Sequence, residues 1–289
     1  MYYSPGLTVN PAFTYFLLVT NAFRDFEHAG WETVVAEYDS SFGNLTIQAI
    51  EPLLDSVGAG PGMRVLDVAS GPGYVAAAAA KRGAFAAGVD FSAPMVAEAK
   101  RRHAPIDFRE GDAEALPFPD RSFDAVVMNF GILHLARPDQ AMSEAHRVLR
   151  AGGRFGLTAW AKPVETAGFG ITLGAIQAHG DLNLPLPEGP PFFRFSDPEE
   201  CARSLLQAGF VDPQSKKVRQ TWRLPSADAL FEIMQKATVR TAGLLRGQTA
   251  QALNSIRVMM ANASRLYEKN GVIELPMPAI LASGLRPAS

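Results

Sequence analysis

The stretch of sequence that decides the fold reads Val65-Leu66-Asp67-Val68-Ala69-Ser70-Gly71-Pro72-Gly73. Its apolar first half, rich in β-branched residues, is typical of a strand covered on both faces of a sheet. The small residues that follow let the backbone pass close beneath a bound molecule. The alanine-rich segment 75–80 then predicts a helix, with Gly83 as its C-terminal stop. Every nucleotide-binding fold of the doubly wound class begins with such a unit, so it does not identify a ligand by itself.

Further strands of the same kind follow along the chain. Residues 84–91 predict a second buried strand that ends near Asp90, whose carboxylate can accept both hydroxyls of a ribose. Three more strands are predicted over 106–110, over 122–129 and up to Trp160. Since strands that alternate with helices form parallel sheets, their carboxyl ends meet at one edge, where ligands bind. The sequence therefore predicts an α/β, doubly wound sheet with helices on both faces. A nicotinamide dinucleotide would fit its first two strands equally well.

With the third and fourth strands included, the chain resembles the class I S-adenosylmethionine-dependent methyltransferases, in particular the ubiquinone/menaquinone-biosynthesis-like branch (methyltransferase type 11). The resemblance runs from about residue 31 to 160 and weakens towards the C-terminus. It implies a seven-stranded, mostly parallel sheet whose last strand is antiparallel. It also implies S-adenosyl-L-methionine as cofactor and S-adenosyl-L-homocysteine as product. One departure is Ala69, where the family usually has glycine; an alanine is tolerated there if its φ stays negative.

The resemblance also implies which residues contact each part of the cofactor. The aminocarboxypropyl end would be held by the glycine loop, through Asp67, Ala69, Ser70, Gly71 and Gly73. The ribose and adenine would be held by Asp90, Phe91, Met95, Gly111, Asp112 and Ala113. The sulfonium and its methyl group would face Asn129 and Phe130. Tyr38, in a second helical stretch over 31–50, is a candidate for the carboxylate end, or else anchors its helix as aromatic residues usually do.

Composition narrows the class of substrate. The chain has 289 residues, 47% of them apolar, which suits an α/β domain with an elaboration. Its net charge of −2 offers no basic surface for nucleic acid. After the fourth strand it lacks the two prolines that methyltransferases acting on nucleic acid bases usually carry. Nothing resembles a metal-binding cluster, and the lone Cys201 fits a reducing cytoplasm. We therefore predict a cytoplasmic enzyme for a small molecule.

The N-terminal residues 11–23 are unusually apolar. They are too few to span a membrane and lack the basic flank of a signal peptide. A helix that is apolar on all sides is buried on both sides, as core, as a homodimer contact or as a lid over the substrate pocket. We divide the chain into an N-terminal helical lid (1–50), a cofactor-binding Rossmann-like core (51–162), and substrate cap elements with the last two strands of the sheet (163–289).

The C-terminal part should determine the choice of substrate. It predicts helices near 166–179, 198–208, 226–243 and 248–269, and strands near 215–223 and 272–284, the last antiparallel beside the fifth. The two helices between the last strands would cap the mouth of the pocket. Their methionines and phenylalanines suggest an apolar or aromatic acceptor, although packing against the sheet explains most of them.

The predicted chemistry requires few side chains. A sulfonium methyl group is already activated, so in-line displacement driven mainly by proximity is sufficient, with oxygen or carbon favoured over nitrogen as acceptor. His134 follows the fourth strand and is the best candidate for a base, should the acceptor need to lose a proton. Two alternatives stay open: a cofactor-binding protein without methyl transfer, and an NAD-dependent oxidoreductase, although no Tyr and Lys proton relay is evident.

Overall fold

The computed structural model describes residues 11–288, with side chains from residue 20 onward, and is built around a large twisted sheet. The strands in chain order are β1 (Arg64–Val68), β2 (Phe85–Asp90), β3 (Asp107–Glu110), β4 (Phe123–Asn129), β5 (Leu149–Trp160), β6 (Val211–Val218), β7 (Thr221–Leu224), β8 (Glu268–Lys269), β9 (Val272–Pro276) and β10 (Ala279–Leu285). Seven of them form the large sheet, in the order β3-β2-β1-β4-β5-β10-β6. Strand β10 runs antiparallel to both of its neighbours, and the pairs from β3 to β5 are parallel. The predicted fold class is therefore confirmed.

Helices cover both faces of this sheet. They are α1 (Pro11–Trp31), α2 (Val35–Tyr38), α3 (Asn44–Thr46), α4 (Ile50–Ser56), α5 (Tyr74–Lys81), α6 (Ala93–Arg102), α7 (Pro138–Val148), α8 (Ala167–His179), α9 (Pro198–Gln207), α10 (Ala229–Lys236), α11 (Arg240–Arg246) and α12 (Ala250–Arg265). A π-helical turn over Asp39–Gly43 and 3₁₀ turns over Ile47–Ala49, Ile132–His134 and Arg194–Ser196 complete them. The local sequence explains where two of these helices begin. The side chain of Ser92 accepts a hydrogen bond from the N–H of Met95 at the start of α6, and the side chain of Asp197 accepts one from the N–H of Glu199 at the start of α9.

The order of the strands determines where a ligand can bind. The chain winds from β1 outward to β3 and then returns to place β4 on the other side of β1. Strand order therefore reverses between β1 and β4, and a crevice opens there at the carboxyl ends of the strands. Because helices cover both faces, β1 and β4 are almost continuously apolar and buried, as Val65, Leu66, Val126 and Val127 show.

The C-terminal third differs from the prediction in three places. The predicted strand 215–223 is two strands, since β6 ends at Val218 and β7 belongs to a separate three-stranded sheet of order β7-β9-β8. The predicted last strand also divides, because prolines at 276 and 278 interrupt the ladder between β9 and β10. The predicted helix 226–243 breaks after Lys236, where the hydroxyl of Thr238 accepts from Ala242 and begins a new helix.

Helix α1 also differs from expectation. The side chains of residues 11–19, which gave this segment its apolar character, lie outside the described residues. In the described half, Phe23 and Glu27 are buried while Ala22 and Asp25 are exposed. This half is therefore buried on one side, and the expected burial all round was wrong for it. None of the helices in residues 11–288 has the length and apolar character needed to cross a bilayer.

Candidate functional site

A cavity opens at the carboxyl edge of the sheet, where the strand order reverses. It contains about 1270 Å³ of empty space, counting its open mouth. The residues predicted from sequence that line it are Tyr38, Asp67, Ala69, Ser70, Gly71, Asp90, Phe91, Met95, Gly111, Asp112, Ala113, Asn129, Phe130 and His134. Gly73 is not among the lining residues. The fold thus brings residues from β1, β2, β4 and the loop after β3 to one space.

The loop after β1 is more strained than expected. Ala69 has a φ of +53°, so the condition under which an alanine would be tolerated here without strain is not met. An alanine in this left-handed region costs roughly 1–2 kcal/mol. Gly131 lies against it, and a Cβ on Gly131 would come within 2.5 Å of the Ala69 methyl group. Gly73 has a φ of +84° at the start of α5, and a Cβ there would lie 2.6 Å from the Phe108 ring. Gly73 therefore shapes the turn that carries the lining residues.

Asp67 lies buried at the end of β1 with one oxygen free. Its Oδ2 accepts from the N–H of Ala76 at 3.0 Å, and its Oδ1 has no partner among the described residues. Burial raises the pKa of Asp67 to about 8. The hydroxyl of Ser70 is likewise buried in the cavity wall without a described partner. A buried carboxyl oxygen and a buried hydroxyl, both unpaired among the described residues and both from residues that line one cavity, fit the ammonium and carboxylate of an aminocarboxypropyl group.

Asp90 ends β2 and is held rigidly. Its Oδ2 accepts from the N–H of Gly71 at 2.8 Å and its Oδ1 from Ser92 at 3.0 Å. Burial raises the pKa of this carboxyl despite these two hydrogen bonds. Each carboxylate oxygen has a second lone pair, so Asp90 fits the two hydroxyls of a ribose. Asp67 and Asp90 can therefore hold two parts of one adenosyl amino acid, its amino group and its ribose.

Helix α1 crosses the side of the cavity where the adenine is predicted to lie. The contacts that it makes there could not be read from the sequence. Arg24 pairs with Asp112 at 2.7 Å, and the Nε2 of His28 lies 3.2 Å from the carbonyl oxygen of Phe91. Glu32 accepts from the N–H of Ala93 at the start of α6. These polar contacts hold α1 over the ends of β2 and β3. His28 is thus a surface contact of the helix.

Asn129 and Phe130 are held by the neighbouring strand β5. The hydroxyl of Thr158 donates to Asn129 Oδ1 at 2.7 Å and accepts from the N–H of Phe130 at 3.0 Å. The amide of Asn129 donates to the carbonyl oxygen of Thr46 at 3.2 Å. Phe130 has a φ of +57°, an outlier for a bulky residue, and its ring stacks on Trp160 with centroids 4.1 Å apart. The strain at Phe130 places its ring in the cavity wall, and sequence reasoning missed Thr158.

Beyond Phe130 the cavity becomes an aromatic chamber, which we define by Phe42, Phe130, Trp160, Phe169 and Phe192. Neighbouring rings in it lie 4.1–6.4 Å apart between centroids. The chamber is built by the 39–43 turn, β5, α8 and the following loop. From the predicted cap, only residues 237–241, in the turn between α10 and α11 and at the start of α11, belong to the described lining. The methionines and phenylalanines of the predicted cap are therefore mainly packing, as with the buried Met234.

Tyr38 lies between the two parts of the cavity. Its hydroxyl is 3.5 Å from Thr46 Oγ1, and its ring stacks on Phe42 and meets Trp31 edge-on. Burial raises the pKa of Tyr38. These contacts anchor the segment around it, and the same side chain lines the cavity. A contact with the carboxylate end of a cofactor remains a prediction.

His134 lines the cavity with 22% of its side chain exposed, and it has a partner that the sequence did not reveal. Its Nδ1 lies 2.9 Å from Oε2 of Glu27, which comes from α1 and is 0% exposed. Glu27 also accepts from Nε of Arg240 at 2.9 Å and from the indole N–H of Trp31 at 3.1 Å. The only signal in the sequence is an acid at helical spacing between Phe23 and Trp31.

Comparison with known proteins gives a consistent result. Residues 66–157 match the family model described as a methyltransferase domain. The chain is 42% identical over 165 residues to the demethylmenaquinone methyltransferase of Thermus thermophilus. The matched region covers 51% of this chain and 74% of that protein. It is 44% identical over 111 residues to the demethylmenaquinone methyltransferase of Renibacterium salmoninarum, and this match covers 38% of this chain and 47% of that protein. The chain spans about half the length of most of the curated relatives it matches.

A solved structure shares the fold. The phosphoethanolamine N-methyltransferase 2 of Haemonchus contortus, in complex with S-adenosyl-L-methionine, superposes with a TM-score of 0.54 at 22% identity. The match covers 92% of this chain and 60% of the other. At this identity the likeness concerns the fold alone.

Proposed function

We propose, since the chain belongs to the class I S-adenosylmethionine-dependent methyltransferases of the ubiquinone and menaquinone biosynthesis type, that it moves a methyl group from S-adenosylmethionine to a small aromatic acceptor. The observation that carries the proposal is the continuity of one cavity. Asp67, Ser70 and Asp90 line its polar end, and the aromatic chamber forms its other end. Phe130 lies at the junction, where a methyl group would pass from one ligand to the other.

The proposed catalysis relies on positioning. The bound cofactor supplies an activated methyl group. Asp67 and Asp90 fix the direction from which it points into the chamber, and Phe130 and Trp160 hold a flat acceptor and exclude water. Holding two reactants in line can supply roughly 7–11 kcal/mol of the barrier. If the acceptor is a phenol or an acidic carbon, its proton passes to the ring of His134.

The chemistry of the chamber favours a planar ring as the acceptor. Stacked and edge-on aromatic walls bind such a ring by its faces and edges. The relatives named demethylmenaquinone methyltransferases point the same way, towards a quinone-type ring. We favour carbon or oxygen over nitrogen as the methylated atom, because a quinol ring offers both. We also propose that the segment 1–50 acts as a lid, and that 163–289 supplies the substrate side of the cavity.

Methyl transfer is tested by mass spectrometry with cofactor carrying a trideuterated methyl group. The acceptors are a reduced hydroxynaphthoquinone and a naphthylamine of matched size. We expect S-adenosylhomocysteine together with a deuterium-labelled quinol, and slower reaction of the amine. NAD released from the denatured protein would overturn the assignment in favour of an oxidoreductase. Cofactor binding by calorimetry with no labelled product from either ring would favour a binding protein without methyl transfer.

A further inference from the structure

Glu27 accepts hydrogen bonds from three donors. Trp31 offers an indole N–H, Arg240 a guanidinium N–H, and the third neighbour is Nδ1 of His134. An ionised carboxylate can only accept hydrogen bonds, so the hydrogen of the neutral His134 ring must lie on Nδ1. Nε2 then carries the lone pair, and it makes no hydrogen bond within residues 20–288. The ring itself lies in the cavity wall.

The charges around the ring keep Glu27 ionised. Burial alone would raise the pKa of Glu27, but the attraction of and hydrogen bonds from His134 and Arg240 leave it below its ordinary value. Arg240 is fixed by donating to the carbonyl oxygens of Leu133 and Pro190 as well. The charged groups that face His134 are thus Glu27 from α1, Arg240 from α11 and Asp90 from the end of β2.

We propose that Glu27 is a positioning residue, which fixes the tautomer and orientation of His134 so that Nε2 receives the acceptor's proton. The inference rests on the proposed function, because it assigns a role within that same reaction. The proton leaves an O–H or C–H bond of the acceptor as that atom's electron pair forms the bond to the methyl group. The bond between the methyl group and sulfur would break at the same time and leave its electron pair on the sulfur. Nε2 gains the proton, and the positive ring is stabilised by the Glu27 carboxylate. The lid helix therefore supplies part of the proton-transfer machinery.

The tautomer can be read in the intact protein without cofactor or acceptor. Nitrogen-15 NMR of histidine-labelled protein distinguishes the two ring nitrogens, and the His134→Gln variant identifies the signal among the five histidines. We expect the hydrogen on Nδ1 in the neutral ring. A hydrogen on Nε2 would overturn the inference, and no substitution at Glu27 is needed for that result.

Glu27→Gln tests the role of the charge. We expect about a tenfold or greater loss of kcat at the plateau of its pH profile, because the negative charge beside His134 is lost. The acid limb of the profile should also move to lower pH for the same reason. Glu32→Gln makes the same chemical change in the turn that directly follows α1, at the contact with Ala93, and should leave the pH profile unchanged.

The outcomes separate this inference from the proposed function. An unchanged pH profile and plateau kcat in a folded Glu27→Gln protein would overturn the role of Glu27. Equal effects of Glu32→Gln would do the same, since detachment of α1 would then explain both variants. Absence of methyl transfer by the unmodified protein would instead overturn the proposed function, while the NMR result would still decide the tautomer.

Discussion

Binding of S-adenosylmethionine should release a proton from Asp67. Burial raises the pKa of this carboxyl to about 8, so at pH 6.5 it is protonated in nearly all molecules of the free protein. The unpaired Oδ1 is where the ammonium group of the cofactor would lie. An opposite charge at that distance lowers a carboxyl pKa by about 1–3 units, and a shift of about 2–3 units gives release of roughly 0.7–0.9 proton per cofactor.

The assay is titration calorimetry at pH 6.5 in buffers of different ionisation enthalpy. The slope of the observed binding enthalpy against buffer enthalpy gives the number of protons released. Asp67→Asn keeps an acceptor for Ala76 and removes the titrating group, so its slope should fall close to zero. 5′-Methylthioadenosine lacks the ammonium group and should give no release with either protein. A zero slope for the unmodified protein, or an equal slope for Asp67→Asn, would refute the reasoning.

Three further predictions concern binding and stability. Asp90→Ala should weaken cofactor binding by at least about tenfold, because charge-assisted hydrogen bonds to the ribose are lost; equal affinity by calorimetry would reject that role. Gly131→Ala should destabilise the fold by about 1–3 kcal/mol through contacts with Ala69 and Met128. Ala69→Gly should restore part of that loss and, alone, add up to about 1 kcal/mol; additive effects in denaturant titrations of the double variant would contradict the contact with Ala69. The folded-state pKa of Asp67 lies above its unfolded value, so its contribution to stability is full below pH 4 and is lost as pH rises through 8. Asp67→Asn should therefore exceed the unmodified protein in stability most at pH 8 and above, and a constant difference across pH 5–9 would show that Asp67 titrates normally.

The sequence was sufficient for the sheet and for the strand ends of the site. Parallel strands covered on both faces are almost continuously apolar, and β1 and β2 carry the acids Asp67 and Asp90 near their carboxyl ends. The topology then forces these residues together, whatever the details of packing. This is why residues predicted from four separate motifs line one cavity.

Long-range polar contacts could not be predicted in the same way. Glu27 and His134 are 107 positions apart, and their contact depends on the path of α1 across the sheet edge. The positive φ of Ala69 was missed because alanine normally avoids it, and only the fold shows that the neighbouring Gly131 leaves room. The division of the last strand depended on prolines at 276 and 278, whose effect the apolar pattern of 272–284 concealed.

The central claim is that the carboxyl ends of β1, β2 and β4 form one cradle for an adenosyl amino acid. A crystal structure of the protein with S-adenosylhomocysteine tests it most directly. We expect the ribose hydroxyls within hydrogen-bonding distance of Asp90, the amino group beside Oδ1 of Asp67, and the sulfur facing Phe130. Density for the ligand at another place, with these carboxylates uncontacted, would contradict the account.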